Sequence, residues 1–210
     1  MWATEDFAHR WAHVRARLSI VRTDRPPIGQ RVVVTGLAGS GKSTFSKRLA
    51  AATGLPLVHL DLEFWQPGWL EPSSTDWKAI EERALAGDEW IADGNYAETL
   101  ELRVGLADTV VVLDTPWWRC VVRSIRRAFE MPDQLPFGCE LSRWRRLRDE
   151  LGVTGRIWQQ RRSEPTRERE IIDRHGRHAV RHTLTSRREV DAFLERLSVA
   201  QQNRPGREPA

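Results

Sequence analysis

The stretch GLAGSGKS, from Gly36 to Ser43, decides how the rest of the chain is read. Its spacing is G-x-x-x-x-G-K-[ST], and its neighbours fit that pattern. RVVVT before it is a short β-branched run that reads as a strand. Ser43 to Thr53 after it reads as a helix closed by Gly54. Glycines at these positions let backbone N–H groups wrap around a phosphate, and the helix amino terminus adds its dipole. Lys42 supplies a compact charge for the β- and γ-phosphates, and the Ser43 hydroxyl suits Mg²⁺. Gly36, Ala38, Gly39, Ser40, Gly41, Lys42, Ser43 and Thr44 are therefore expected to hold a nucleoside triphosphate, ATP. The chain has 30 Arg and only 3 Lys, so a lysine here fits a site that needs a point charge rather than a fork.

Outward from this loop, short apolar runs alternate with helical patterns. LPLVHLD, EWIAD, TVVVLD and HAVRHTL read as further strands. Helices are expected from Ser73 or Ser74 to Gly87, between the third and fourth strands, after Pro116, in two pieces beyond MPDQLPFG, and from about Ser186. Such alternation means a parallel α/β sheet with helices on both faces, and ligands beyond the carboxyl ends of its strands. Those ends carry Gly36, Asp61, Asp93 and Asp114. Phe7, Trp11, Val14 and Leu18 fall at helical spacing, so residues 1–28 read as a helix and linker, 29–200 as the main domain and 201–210 as a disordered tail.

At 210 residues the chain suits one domain. No run approaches the roughly twenty apolar residues of a membrane span, and no signal peptide is visible, so a cytoplasmic protein, monomeric or weakly dimeric, is expected. Cys120 and Cys139 form no metal-binding or redox motif; they read as a packed thiol and a loop thiol. Net charge is only +4, but 13 Arg against 7 acids lie between Arg119 and Arg169. That cluster fits a small ligand's phosphates or nucleic acid.

Magnesium calls for a carboxylate on a strand beside the loop. Asp93 and Asp114 both qualify by position. Asp93 is preferred, because Gly94 leaves room for a ligand while Asp114, before Thr115-Pro116, suits a helix cap.

The segments GLAGSGKST, HLDLEFWQPGW, DGNYAETLELR, ADTVVVLDTP and SRREVDAFL, in this order from about Arg31 to Leu197, resemble the adenylate-kinase-related P-loop proteins often labelled DNA topology modulation proteins. The resemblance implies a nucleoside-monophosphate-kinase-like parallel five-stranded sheet, order 2-3-1-4-5, with helices on both faces and a small helical lid at about 128–165. It also implies Mg²⁺-dependent transfer of the ATP γ-phosphate to a small nucleotide-like acceptor. Asp61 would hold or deprotonate the acceptor hydroxyl, and Phe64, Trp65 and Trp69 would wall the acceptor, unless they only pin a long loop to the sheet. Where adenylate kinases continue DG with a proline-arginine, Asn95-Tyr96 stand here. Arg103 is then either the cation for the acceptor or a solvated helix residue. Arg119, Arg123, Arg126 and Arg127 recur at spacings of three and four, so Arg123 and Arg127 are expected to reach the transferring phosphate from the lid helix. The competing reading is a nucleic-acid surface, with Trp117, Trp118, Trp144 and Trp158 available for stacking. Apolar periodicity through Val121, Val122 and Ile125 assigns most of those indoles to the core instead.

Overall fold

The computed structural model describes residues 28–130 and 135–202. The expected amino-terminal helix, residues 131–134 of the lid and the tail from 203 lie outside the described residues. In chain order the elements are β1 (Arg31–Thr35), α1 (Lys42–Thr53), β2 (Leu57–His59), α2 (Leu60–Phe64), α3 (Ser74–Ala84), β3 (Trp90–Asp93) and α4 (Leu100–Leu106). Then follow β4 (Thr109–Leu113), α5 (Trp117–Arg127), α6 (Arg143–Gln160), α7 (Ser163–His175), β5 (Val180–Leu184) and α8 (Arg187–Gln202).

The five strands form one parallel sheet in the order β2-β3-β1-β4-β5, as expected. Val32, Val33 and Val34 are all buried because both faces of the central strand are covered, which is why this strand reads as a continuous apolar run. Side chains alternate between the faces. Val32, Val34, Ile91 and Val111 pack against Phe45 and Leu49 of α1 and Phe193, Leu194 and Leu197 of α8. Val33, Ala92 and Val110 pack against Leu100 and Val104 of α4 and Ile172 of α7. Each such valine, leucine, isoleucine or phenylalanine removed from water stabilises the fold by about 1.5–3 kcal/mol. A third cluster, Leu37, Cys120 and Ile157, lays α5 and α6 against the phosphate loop. Cys120 is the packed thiol expected, and burial raises its pKa, so it stays protonated.

Two boundaries differ from the sequence reading. β2 stops at His59, and Leu60–Phe64 coils into one helical turn instead of forming a loop. Leu60 is fully buried and anchors that turn. α3 takes Ser73 as its cap, the hydroxyl accepting from the Asp76 N–H, and it ends at Ala84. No described helix is long and apolar enough to cross a membrane.

Candidate active site at the carboxyl edge of the sheet

β1 delivers the chain to Gly36, whose φ of 136° only glycine adopts readily and whose absent Cβ leaves room for the Leu113 carbonyl. Gly39 (φ 77°) lies equally close to the Cys120 carbonyl, and Gly41 (φ 102°) turns the loop into α1. No side chain caps α1, and no acid stands in its first turn. Its leading N–H groups and dipole are therefore left for an anion. Lys42 folds back over the loop, its Nζ donating to the Gly36 carbonyl at 2.7 Å and to the Leu37 carbonyl at 3.1 Å. Ser40 is buried with its hydroxyl unpartnered among the described residues, while Ser43 and Thr44 are exposed at the start of α1.

Strand register brings Asp93 beside Val34 on one side and beside His59 on the other. It is 4% exposed; Oδ2 lies 3.1 Å from His59 Nδ1, and Oδ1 has no partner among the described residues. A buried carboxylate oxygen without a partner is costly unless a ligand meets it. No group of three or more His, Cys, Asp or Glu gathers around a metal position among the described residues. Mg²⁺ needs none, since it takes one or two protein oxygens and fills the rest with phosphate and water. Asp93 and Ser43 fit that pattern. Asp114 is exposed and its expected capping role is absent, because Pro116 is the N-cap of α5 and no side chain caps that helix.

Asp61 sits in the first turn of α2 rather than ending β2, and Tyr96 Oη donates to its Oδ1 at 2.8 Å. Burial, then the Asp61 charge, raises the Tyr96 pKa, so this phenol remains a donor. Asn95 Nδ2 donates to Glu164 Oε1 of α7.

The aromatic residues divide into two roles. Phe64 packs edge-on to Trp77 and tilted on Tyr96, with ring centroids 5.0 and 4.6 Å away. Trp65 and Trp69 meet edge-on beyond it at 5.7 Å. Trp69 then reaches the segment expected to be the lid: its Nε1 donates to the Glu140 carbonyl at 2.7 Å, and the Arg145 guanidinium lies 5.1 Å over its ring. The Gly68 N–H donates to the Gly138 carbonyl, and the buried Cys139 thiol donates to the Gln66 carbonyl. The loop at 65–70 and the lid entry at 138–145 are thus clasped together.

The arginines diverge. Arg103, 1% exposed, donates from Nη1 to Glu81 Oε1 at 2.6 Å and to Thr99, and from Nη2 to the Tyr96 carbonyl. It props the Tyr96 loop from below and is neither solvated nor open to an acceptor. Arg123 Nη1 donates to the Ser40 carbonyl at 2.7 Å, directly on the phosphate loop. Arg127 instead joins Arg146 around the buried carboxylate of Glu150, tying α5 to α6. Arg126 faces solvent beside Glu130. The indoles are not mainly core: Trp117 is half-buried against Trp158, but Trp118, Trp144 and Trp158 are exposed, as are Val122 and Ile125.

Sequence reasoning missed Glu168. It lies on α7, 4% exposed, and accepts from Thr35 Oγ1 at 2.8 Å at the root of the phosphate loop. Burial raises its pKa, against the Thr35 bond and the nearby Lys42 charge, with Glu164 pushing further upward and the Gly36 amide downward. An acid four residues from another acid on a polar helix reads as a solvated face, so only the packing of α7 could reveal it.

No family model and no curated protein sequence matches the chain. Among solved structures it is similar to a shikimate kinase from Acinetobacter baumannii in complex with shikimate. That alignment has 16% identity and a TM-score of 0.44, over 84% of this chain and 96% of the other. A shikimate kinase from Bacteroides thetaiotaomicron aligns with 17% identity and a TM-score of 0.45, over 82% and 98%. What this chain does must therefore be argued from its own side chains.

Proposed function

We propose that the protein is an ATP- and Mg²⁺-dependent phosphotransferase acting on a hydroxyl of a small, flat-ringed, nucleotide-like acceptor. One observation carries this reading: an uncapped helix amino terminus, entered through three positive-φ glycines, with Lys42 folded onto the loop's own carbonyls. Lys42 would leave those carbonyls to follow the β- and γ-phosphates, and Arg123, already on the loop, would meet the charge that spreads as the γ-phosphoryl departs. Mg²⁺, held by Ser43 and Asp93, would neutralise phosphate charge and fix the triphosphate's geometry. Asp61, its orientation set by Tyr96, would hold the acceptor hydroxyl in line, with Trp65 and Trp69 walling the ring. Phosphoryl transfer depends chiefly on such positioning, so Asp61 acts as an orienter more than as a base.

A second reading, a nucleic-acid-associated NTPase, is favoured by the exposed indoles that stack with arginines: Arg119 over Trp118 at 5.0 Å and Arg161 over Trp158 at 4.2 Å. An ATP-consumption screen of nucleosides, nucleoside monophosphates and small hydroxylated metabolites, with and without single-stranded DNA, separates the two. Acceptor-dependent ADP release indifferent to DNA supports the kinase. DNA-stimulated release of free phosphate with no acceptor dependence replaces it with the second reading.

A further inference from the structure

One face of α7 touches two loops that the sheet keeps on different strands. Glu168 holds Thr35, at the end of β1 where the phosphate loop begins, and its carboxyl also faces the Gly36 amide. Glu164, one helical turn earlier and on the same face, holds the Asn95 amide in the loop after β3. The other end of the helix is fixed. Ile172 is buried against Val104, and Gly176 lies so close to the Val104 side chain that a Cβ there would be 2.7 Å from it. The chain enters α7 directly from the lid helix α6, through Arg161 and Arg162 alone. Thr35 is fully buried, so a shift of α7 would strip its hydroxyl of a partner where water cannot replace it.

We propose that α7 is the strut that couples the phosphate loop to the acceptor-side loop, with Glu168 the positioning residue for the first and Glu164 for the second. The inference rests on reading Gly36–Thr44 as the nucleotide site and adds what that reading lacks, a route by which the nucleotide organises the acceptor side. Movement of the phosphate loop on Thr35 passes through Glu168 to the rigid helix and, one turn away, through Glu164 to Asn95. Neither glutamate touches a substrate.

Hydrogen exchange on the full chain, with MgADP as the probe, reads this coupling without an acceptor. In the wild type, MgADP is expected to slow exchange at 36–44 and also at 94–99. Glu168→Ala should weaken MgADP binding about tenfold and abolish the response at 94–99. Glu168→Gln, whose carbonyl still accepts from Thr35, should restore both. Glu164→Ala should keep MgADP affinity within about twofold yet lose the response at 94–99, a separation that simple destabilisation would not produce. It also carries the test should Glu168→Ala fail to fold. A wild-type response at 94–99 that survives in Glu164→Ala overturns the strut. So does MgADP affinity unchanged in a folded Glu168→Ala. Failure of the wild type to bind MgADP overturns the nucleotide site itself, and the strut with it.

Discussion

Arg103 and Lys42 are both buried cations, and the difference between them is what each is left to do. Arg103 meets Glu81 where neither side chain reaches water, so removing it strands a buried carboxylate. Arg103→Ala is expected to cost about 3–5 kcal/mol of stability in a urea melt. A loss below about 1 kcal/mol would mean that the pair is not closed. Among the described residues Lys42 bonds only to carbonyls of its own loop, a resting position from which a phosphate can draw it. Glu168 adds a dependence on pH. Its carboxyl is held above the usual range by burial, so the folded chain binds that proton more tightly than the unfolded chain does. The stability this adds is complete below the ordinary carboxylate range and is lost as pH rises through the folded pKa. Glu168→Gln should therefore gain in melting temperature relative to wild type between pH 4 and neutrality; a difference that stays constant across that interval would contradict the sign. Arg103 and Glu168 were illegible in the sequence for one reason. A charged residue on a helix announces neither its burial nor its partner.

At the scale of elements, Trp69 after α2 belongs to a clasp, and with Trp65 it forms the wall proposed for the acceptor. The sequence shows a loop there, because Pro67 and Gly68 dominate LDLEFWQPGW and a single helical turn has no periodicity to detect. The clasp also needs the lid entry, seventy residues away, which no local pattern can pair with it. Gly138 is its tightest point, with φ 69° and Pro67 where a Cβ would stand, 2.9 Å away. Gly138→Ala should open the clasp and speed limited proteolysis between 131 and 142, with the sheet's melting behaviour little changed. Proteolysis at the wild-type rate would mean that the lid entry is held elsewhere. The exposed Trp118, Trp144 and Trp158 teach the converse lesson: apolar spacing on α5 and α6 predicts an amphipathic face but not which face is covered. On α5 the covered face is Cys120 and Ser124, small residues that let α6 approach.

For the whole molecule, the strands and the phosphate loop were legible because their signals are local: β-branched runs buried on both faces, and glycines at fixed offsets before a lysine; the order of the strands came only with the family resemblance. How the arginines divide was not legible, because it depends on which helix faces which loop. Replacement by lysine keeps the charge and removes the fork. Arg123→Lys should lower turnover about tenfold or more through its place on Ser40. Arg127→Lys should chiefly lower the melting temperature through Glu150, and Arg126→Lys should do neither. Turnover untouched in all three, alongside tight and salt-sensitive DNA binding, would favour a nucleic-acid surface on α5. The proposed phosphoryl-transfer centre at Gly36–Thr44 depends on Lys42. Its most direct test is transfer of the labelled γ-phosphate of ATP to acceptor by Lys42→Ala and wild type, side by side. A loss on the order of a hundredfold or more in a variant that melts like the wild type is the predicted result. Transfer at the wild-type rate would contradict it.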